Sequence, residues 1–195
     1  MTTDHEPPAR YKDWVAHLRT STPGEWSVTS YEDDAKSHSI LIFKSVDSDG
    51  TLLSTVGLMD VNLGTAIGPE LRTEILLDQC GHDSQAANVL ATIAFYVLKN
   101  KWRPSPGIVF EQMFALDMPD VPLPHVLFVP PYQWADSRMT RVRVGECTVY
   151  PLLALRISES ERLFVSAQGH EALQAIWENR QTAVLDWTRS GEIQA

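Results

Sequence analysis

The amino-acid sequence predicts an α+β domain in which helices cover a mixed or largely antiparallel β-sheet, an α/β sandwich. Several apolar runs have the length of strands and are separated by turn residues. Other segments place apolar residues at helical spacings of three and four. No internal repeat or low-complexity segment interrupts this pattern. Strands and helices of this kind pack into layers around a shared core.

The length and composition predict one domain. A chain of 195 residues with 44% hydrophobic content can bury a substantial core. The first residues are polar and contain Pro7-Pro8, so they bury little surface. We therefore expect a single domain over residues 11–190, between a flexible N-terminal tail (1–10) and a C-terminal tail (191–195).

The first half of the chain predicts a helix followed by a hairpin. Trp14, Val15 and Leu18 share one helical face, in a helix that ends near Thr22-Pro23-Gly24. Two apolar runs, 39–43 and 51–58, then flank a turn whose Asp49-Gly50 end suits positive φ angles. A calcium loop is the alternative for this turn, but further acidic ligands are missing at the required spacings.

The middle of the chain predicts a third strand and a central helix. The third strand falls within residues 71–78, for which a helix is the alternative. The helix covers residues 85–99, is apolar on nearly all sides, and has Asp83 or Ser84 available as its N-cap. Two prolines, Pro104 and Pro106, end this region.

The last part of the chain predicts three further strands and two helices. Residues 108–110 form a short strand, and residues 125–129 form a strand that is buried on both sides. Residues 147–157 form another, in which Pro151 indicates an edge position or a bulge. Ser158 and Glu161 match a capping box that begins a helix, and Gly169 separates it from a second helix over residues 170–179.

The charge and the cysteine content limit the function. The chain carries 25 acidic and 16 basic residues, a net charge of -9, which opposes binding to nucleic acid or to anionic membranes. Its two cysteines are far apart and outside any C-x-x-C spacing, so neither a disulfide scaffold nor a zinc site is predicted. Without a signal sequence or a membrane-spanning segment, the expected location is the cytoplasm.

Catalytic motifs are missing from the sequence. It has no H-E-x-x-H pair, G-x-S-x-G elbow, phosphate loop or dinucleotide turn, and we predict no cofactor, metal or catalytic residue. The best enzyme hypothesis is a thiol at Cys80 just before a helix, assisted by His82. A small buried hydrophobic role is the alternative for Cys80, and a satisfied strand histidine is the expected role of His125.

A protein-binding surface is predicted after the double proline of residues 130 and 131. Tyrosine, tryptophan and arginine often contribute most of the energy of protein interfaces. The alternative is that the two aromatic side chains fold back onto the core. The predicted partner-binding residues are Tyr132, Trp134, Arg138, Arg141 and Arg143.

The order of these motifs resembles the suppressor of fused family in its short, bacterial single-domain form. The resemblance runs from Thr55-Val56-Gly57-Leu58, through the strand at 123–131 and the Ser158 capping box, to Asp186-Trp187-Thr188-Arg189-Ser190. It implies a mixed α/β fold without catalytic residues. Many bacterial relatives look like immunity proteins, which implies a toxin domain encoded nearby as the partner.

Three functional hypotheses follow from the sequence. The first is a non-enzymatic module that binds a protein partner, as an immunity protein that neutralises a toxin by occlusion. The second is an enzyme that uses Cys80 with His82 or a His and Glu site assembled by the fold. The third is a regulatory protein that associates with its own copy through an exposed edge strand.

Overall fold

The computed structural model describes residues 6–64, 70–134, 139–191 and 193. Its centre is a seven-stranded sheet in the order β1-β2-β3-β4-β9-β6-β5, and β7 and β8 form a separate small sheet. All neighbouring strands are antiparallel except β4 and β9, which are parallel. The strands are β1 Glu25–Glu32, β2 Ser39–Val46, β3 Gly50–Val56, β4 Ile75–Cys80, β5 Val109–Phe110, β6 His125–Val129, β7 Val142–Val144, β8 Cys147–Val149 and β9 Leu152–Ile157.

Helices cover both faces of the large sheet, which confirms the predicted α+β class. The helices α2 and α3 lie over one buried apolar cluster, and α1, α4, α5 and the β7–β8 hairpin lie over the other. A short 3-10 turn follows β3. The helices are α1 Ala9–Ser21, α2 Ala86–Asn100, α3 Met113–Asp117, α4 Glu159–Gln168 and α5 His170–Arg180, and the 3-10 turn is Leu58–Asp60.

The first helix is confirmed and starts before residue 11. Trp14 and Leu18 are fully buried, as their spacing predicts. Arg10 lies in the first turn, and its guanidinium donates to both carboxylate oxygens of Asp60 at 2.7 and 2.8 Å. This bidentate ion pair ties the start of α1 to the 3-10 turn.

The predicted hairpin of β2 and β3 is confirmed, but the reason for its glycine is different. Asp47 Oδ1 accepts from the amides of Asp49 and Gly50, so this side chain closes the turn. Gly50 is not among the glycines with positive φ. A Cβ atom at Gly50 would lie 2.1 Å from the carbonyl oxygen of Gln79 on β4. The glycine therefore allows two strands to approach closely.

The third predicted strand and the central helix are also confirmed. The strand β4 covers Ile75–Cys80, so the helical alternative for this segment is wrong. The helix α2 lies within one residue of its predicted bounds, and most of its apolar side chains are buried. Its N-cap is Gln85 rather than Asp83 or Ser84. Asp83 instead accepts from the Gln85 amide at 2.7 Å, which makes it part of the preceding turn.

The run 147–157 is two strands rather than one. It breaks at Tyr150-Pro151 into β8, which belongs to the small sheet, and β9, which belongs to the large one. The predicted edge position is wrong, because β9 lies between β4 and β6. Pro151 precedes the strand, where its missing amide donor disrupts no ladder.

The capping box at the start of α4 is confirmed. The Ser158 hydroxyl accepts from the Glu161 amide at 3.1 Å, and the Ser158 amide donates to the Glu161 carboxylate at 2.9 Å. The same Ser158 hydroxyl donates to the carbonyl of Gly191 at 2.6 Å. Gly191 is buried, so the chain remains packed against α4 at this residue.

Glu74 is a buried carboxylate at the start of β4, surrounded by hydrogen-bond donors. It accepts from the amides of Gly57, Leu58 and Met59 at 2.8, 3.3 and 3.1 Å. The Thr55 hydroxyl donates to it as well. Burial raises the pKa of Glu74 to about 8, and these donors oppose the rise. One side chain thus satisfies three amides of the turn between β3 and the 3-10 helix.

We predict that Glu74→Ala lowers the free energy of unfolding by at least about 3 kcal/mol. The substitution leaves several buried donors without an acceptor, and each costs roughly 1–3 kcal/mol. Urea denaturation followed by circular dichroism measures the change. The matched control is Glu70→Ala, since Glu70 pairs with Arg72 at the surface and its loss should change stability by less than about 0.5 kcal/mol. Equal effects of the two substitutions would contradict the assigned role.

Candidate partner-binding surface

Tyr132 projects from the segment that follows β6. The strand ends at Val129, and the two prolines after it prevent further pairing. The Tyr132 amide donates to the Pro130 carbonyl at 2.8 Å, which makes a tight turn. The tyrosine side chain is 47% exposed. A buried strand and a proline turn therefore present this aromatic ring to solvent.

A groove lies between this turn and α5. Its volume is about 450 Å³, and we call it the Tyr132 groove. The lining combines apolar and aromatic surface with amides, a hydroxyl and one carboxylate. The residues that line it are Pro130, Tyr132, Gln174, Trp177, Glu178, Gln181, Thr182 and Val184.

Trp177 forms a rigid wall of the groove because buried charged groups hold it. Its indole Nε1 donates to Glu161 Oε1 at 2.8 Å. Arg189 donates to both oxygens of the same carboxylate, at 2.6 and 3.0 Å. Because Glu161 is also the capping-box residue of α4, one carboxylate fixes the helix start, the indole ring and the C-terminal segment together.

The other wall is held by Gln133. Its side-chain amide donates to Asp78 on β4 at 2.7 Å, which connects the turn to the sheet. Burial, with a smaller contribution from the Asp78 charge, raises the pKa of Tyr132 to about 12. The Tyr132 hydroxyl is therefore protonated at neutral pH and can donate a hydrogen bond to a partner.

The predicted surface residues do not all line this groove. Trp134 is partly buried and packs against the apolar cluster beneath α1 and α5, as the alternative for it stated. Arg141 and Arg143 are exposed, beside and within β7, and Arg143 Nε donates to the Gly145 carbonyl at 3.0 Å. Arg138 lies outside the described residues.

Cys80 and His82 do not form a reactive pair. Cys80 is exposed, so the small buried role that was its alternative is wrong. Desolvation still raises the pKa of its thiol, and the charges of Asp78, Asp186 and Asp49 raise it further, so the thiolate is disfavoured. His82 Nδ1 lies 2.8 Å from the Thr51 hydroxyl. The imidazole is thus engaged with a neighbouring strand rather than with the thiol.

The remaining candidate groups also have structural partners. The expected satisfied ring of His125 is confirmed at one nitrogen: Nδ1 accepts from the Gln112 amide at 3.1 Å. Nε2 lies 2.8 Å from Glu159, an ion-pair distance without hydrogen-bond geometry. Glu159 also binds Arg162. Among the residues that the structure describes, no group of three or more His, Cys, Asp or Glu side chains could hold a metal ion.

None of the described helices combines the length and the apolar character needed to cross a bilayer.

Sequence reasoning missed most of the groove. Tyr132 was among the predicted surface residues, but Trp177 of α5, which also lines the groove, was not. Val184 also lines the groove, but it follows the last helix and belongs to no sequence motif. The turn at residue 130 and the groove-lining residues of α5 are more than forty residues apart in the sequence, so no local pattern includes both.

Comparisons with known proteins place this chain in a family. A family model described as Suppressor of fused protein (SUFU) matches residues 34–190. The chain is also 31% identical over 174 residues to immunity protein YqcF of Bacillus subtilis (strain 168), over 87% of this chain and 90% of that protein.

Solved structures show the same fold. A SUFU homolog from Neisseria gonorrhoeae FA 1090 is similar, with a TM-score of 0.77 and 15% identity, over 95% of this chain and 98% of that one. A chain of the Sufu–Fu complex has a TM-score of 0.65 at 15% identity, over 97% and 93% of the two chains. Drosophila Suppressor of Fused has a TM-score of 0.62 at 13% identity, and this chain covers 51% of it.

The family resemblance expected from the order of motifs is confirmed. The family model spans most of the sequence, and the similarity to YqcF extends over nearly all of both chains. The chain therefore belongs to the suppressor of fused family.

Proposed function

We propose that this protein is a non-enzymatic binding module that acts as an immunity protein, neutralising a toxin domain by covering its active site. The observation that carries the proposal is the 31% identity to an immunity protein along almost the whole chain. Such a protein needs a preformed surface and tight binding rather than catalytic groups. A cytoplasmic location agrees with this role.

The Tyr132 groove supports the proposal as the binding surface. Tyr132 offers a large ring with a protonated hydroxyl, and Trp177 beside it is already held by Glu161 and Arg189. A surface that is ordered before binding loses little conformational entropy on binding. The net charge of -9 favours a basic partner face and speeds its encounter. Arg141 and Arg143 are exposed outside the groove and remain candidate contacts of a partner that extends beyond it.

The chemistry of the candidate catalytic groups supports a binding role over an enzymatic one. The Cys80 thiol has a raised pKa, and His82 is bound to Thr51. The carboxylates that could act as a general acid or base have structural partners as well. Glu70, Glu159 and Glu161 pair with arginines, and Glu74 accepts from backbone amides.

We predict that co-expression of this protein with the toxin domain encoded beside its gene restores growth, and that the two form a stoichiometric complex. Tyr132→Ala should weaken the complex by at least about 2 kcal/mol, roughly 30-fold in Kd, as expected for a central aromatic anchor. Isothermal titration calorimetry measures the affinity, and plating efficiency measures protection.

The control variant is Leu163→Ala. Leu163 is 54% exposed on α4 and lies outside the groove, so its loss should leave affinity and protection unchanged. A toxin that kills cells despite full expression of the folded protein would contradict the proposed function. Equal effects of the Tyr132 and Leu163 substitutions would contradict the proposed surface.

We also predict that Cys80→Ser and His82→Ala both retain full protection. Neither side chain lines the Tyr132 groove, and occlusion needs no nucleophile. The growth assay reports the result, with circular dichroism as the check of folding. Loss of protection in folded Cys80→Ser protein, with toxin binding intact, would instead support an enzyme.

A further inference from the structure

The strand β1 is a long, uncovered edge of the large sheet. It is the first strand in the order of the sheet, and among the described residues it pairs with β2 alone. Seven of its eight residues are exposed, and Tyr31 is half-buried. Edge strands are usually short or protected by lysine, proline or a bulge. The segment Glu25–Glu32 contains no lysine, arginine or proline.

The hydrogen-bond pattern identifies which groups of β1 are free. Asp33, just after β1, donates to the His38 carbonyl, so Asp33 and His38 form a bonded pair. Bonded and non-bonded pairs alternate along an antiparallel ladder. By the observed register, the residues at 31, 29, 27 and 25 bond to β2. The residues whose amide and carbonyl point away from the sheet are Trp26, Val28, Ser30 and Glu32.

The two sides of this edge differ in chemistry. On one side, Trp26 and Val28 are exposed apolar residues, and Arg19 lies 4.3 Å above the Trp26 ring. On the other side, a groove of about 480 Å³ separates the end of β1 from α2. We call it the acidic groove. It is lined by Tyr31, Glu32, Asp33, Asp34, Asn88, Ala91, Thr92, Phe95, Tyr96, Lys99, Asn100 and Leu116.

The charge of the acidic groove is only partly neutralised. Asp33 is buried, and its carboxylate lies 3.0 Å from the ammonium group of Lys99. Lys99 is the cation among the described residues that line this groove. Glu32 and Asp34 are exposed and make no ion pair within the described part of the chain. The groove therefore favours a positively charged side chain at its mouth.

The charge of this edge also bears on whether a second copy of this chain or a different protein pairs with β1. A second copy of β1 would bring Glu25 and Glu32 to the edge but no lysine or arginine. It would therefore add negative charge beside the exposed carboxylates of Glu32 and Asp34. A segment with lysine or arginine instead carries the charge opposite to that of these carboxylates.

We propose that β1 is a docking edge for an extended, basic segment of a partner protein, which adds to the sheet as an eighth strand. Main-chain hydrogen bonds from Trp26, Val28, Ser30 and Glu32 supply the pairing. Alternate side chains of the added strand enter the acidic groove as cations and contact Trp26 and Val28 as apolar groups. This edge shares no lining residue with the Tyr132 groove, so it is a second surface beyond the proposed function.

The test uses a capped peptide of about nine residues, the length of a strand opposite β1, in which lysine alternates with valine. Fluorescence anisotropy of the labelled peptide measures the affinity for the full chain. Wild-type protein should bind it saturably, and a peptide with glutamate in place of lysine should not bind. Amide hydrogen exchange should slow at Trp26, Val28, Ser30 and Glu32.

Ser30 offers a matched pair of variants. Ser30→Pro removes an outward amide without removing a bond to β2, and it leaves the charge unchanged, so affinity should fall about tenfold or more. Ser30→Ala keeps that amide and should bind like the wild type. The double variant Glu32→Lys/Asp34→Lys should lose binding through charge.

Several outcomes would overturn the proposal. These are failure of the lysine peptide to bind, equal binding by folded Ser30→Pro and Ser30→Ala, or unchanged exchange at the four outward amides of the wild type. The exchange measurement remains decisive if Ser30→Pro does not fold. A dimer in sedimentation experiments that Ser30→Pro dissociates would assign the edge to a second copy instead. None of these results depends on toxin protection.

Discussion

The parallel pairing of β4 with β9 is the contact on which the rest of the sheet depends. One antiparallel unit, β1 to β4, comes from the first half of the chain, and the other, β5, β6 and β9, comes from the second half. They meet along Ile75, Leu76 and Leu77 opposite Leu152, Leu153 and Ala154. Glu74 lies at the start of this seam, where its carbonyl accepts from the Leu152 amide at 3.0 Å. Its buried carboxylate orders the turn after β3 at the same place.

This arrangement explains why the candidate binding surface is rigid. The segment after β6 and the helices after β9 leave neighbouring strands and pack on the same face of the sheet. Gln133 and Asp78 fix one side of the Tyr132 groove, and Glu161 fixes the other through Trp177 and Arg189. The buried charges of Glu161 and Arg189 pair through two hydrogen bonds, which offsets their removal from water. Their rigidity fits a protein that recognises a partner without reacting with it.

The molecule presents two surfaces with different chemistry. The Tyr132 groove is aromatic and apolar, and it lies against α5. The β1 edge combines free main-chain groups with exposed carboxylates at the far side of the sheet. The first would recognise shape and the second an extended backbone with positive charge. A partner large enough to contact both would gain affinity from their combination, provided that its geometry permits simultaneous contact.

The sequence by itself determined the elements whose signals are local. The β2–β3 hairpin has its turn residues beside it, and α4 has its capping box within four residues. These interactions form between neighbours in the chain, so the pattern contains them. Even in this hairpin, the local sequence could not predict why residue 50 must be glycine. The atom that would clash with a side chain at position 50 belongs to Gln79 on another strand.

Only the tertiary structure decided the features that depend on distant residues. Pro151 predicts an edge strand, because proline has no amide donor. In the structure the proline precedes β9, and β9 lies between β4 and β6. The strand β1 has no buried residue, so it carries no alternating apolar signal, and it was not predicted. Cys80 and His82 are neighbours in sequence, yet their environments come from Asp78, Asp186 and Thr51. The groove likewise exists only because the fold brings α5 beside the turn after β6, an arrangement that local periodicity does not encode.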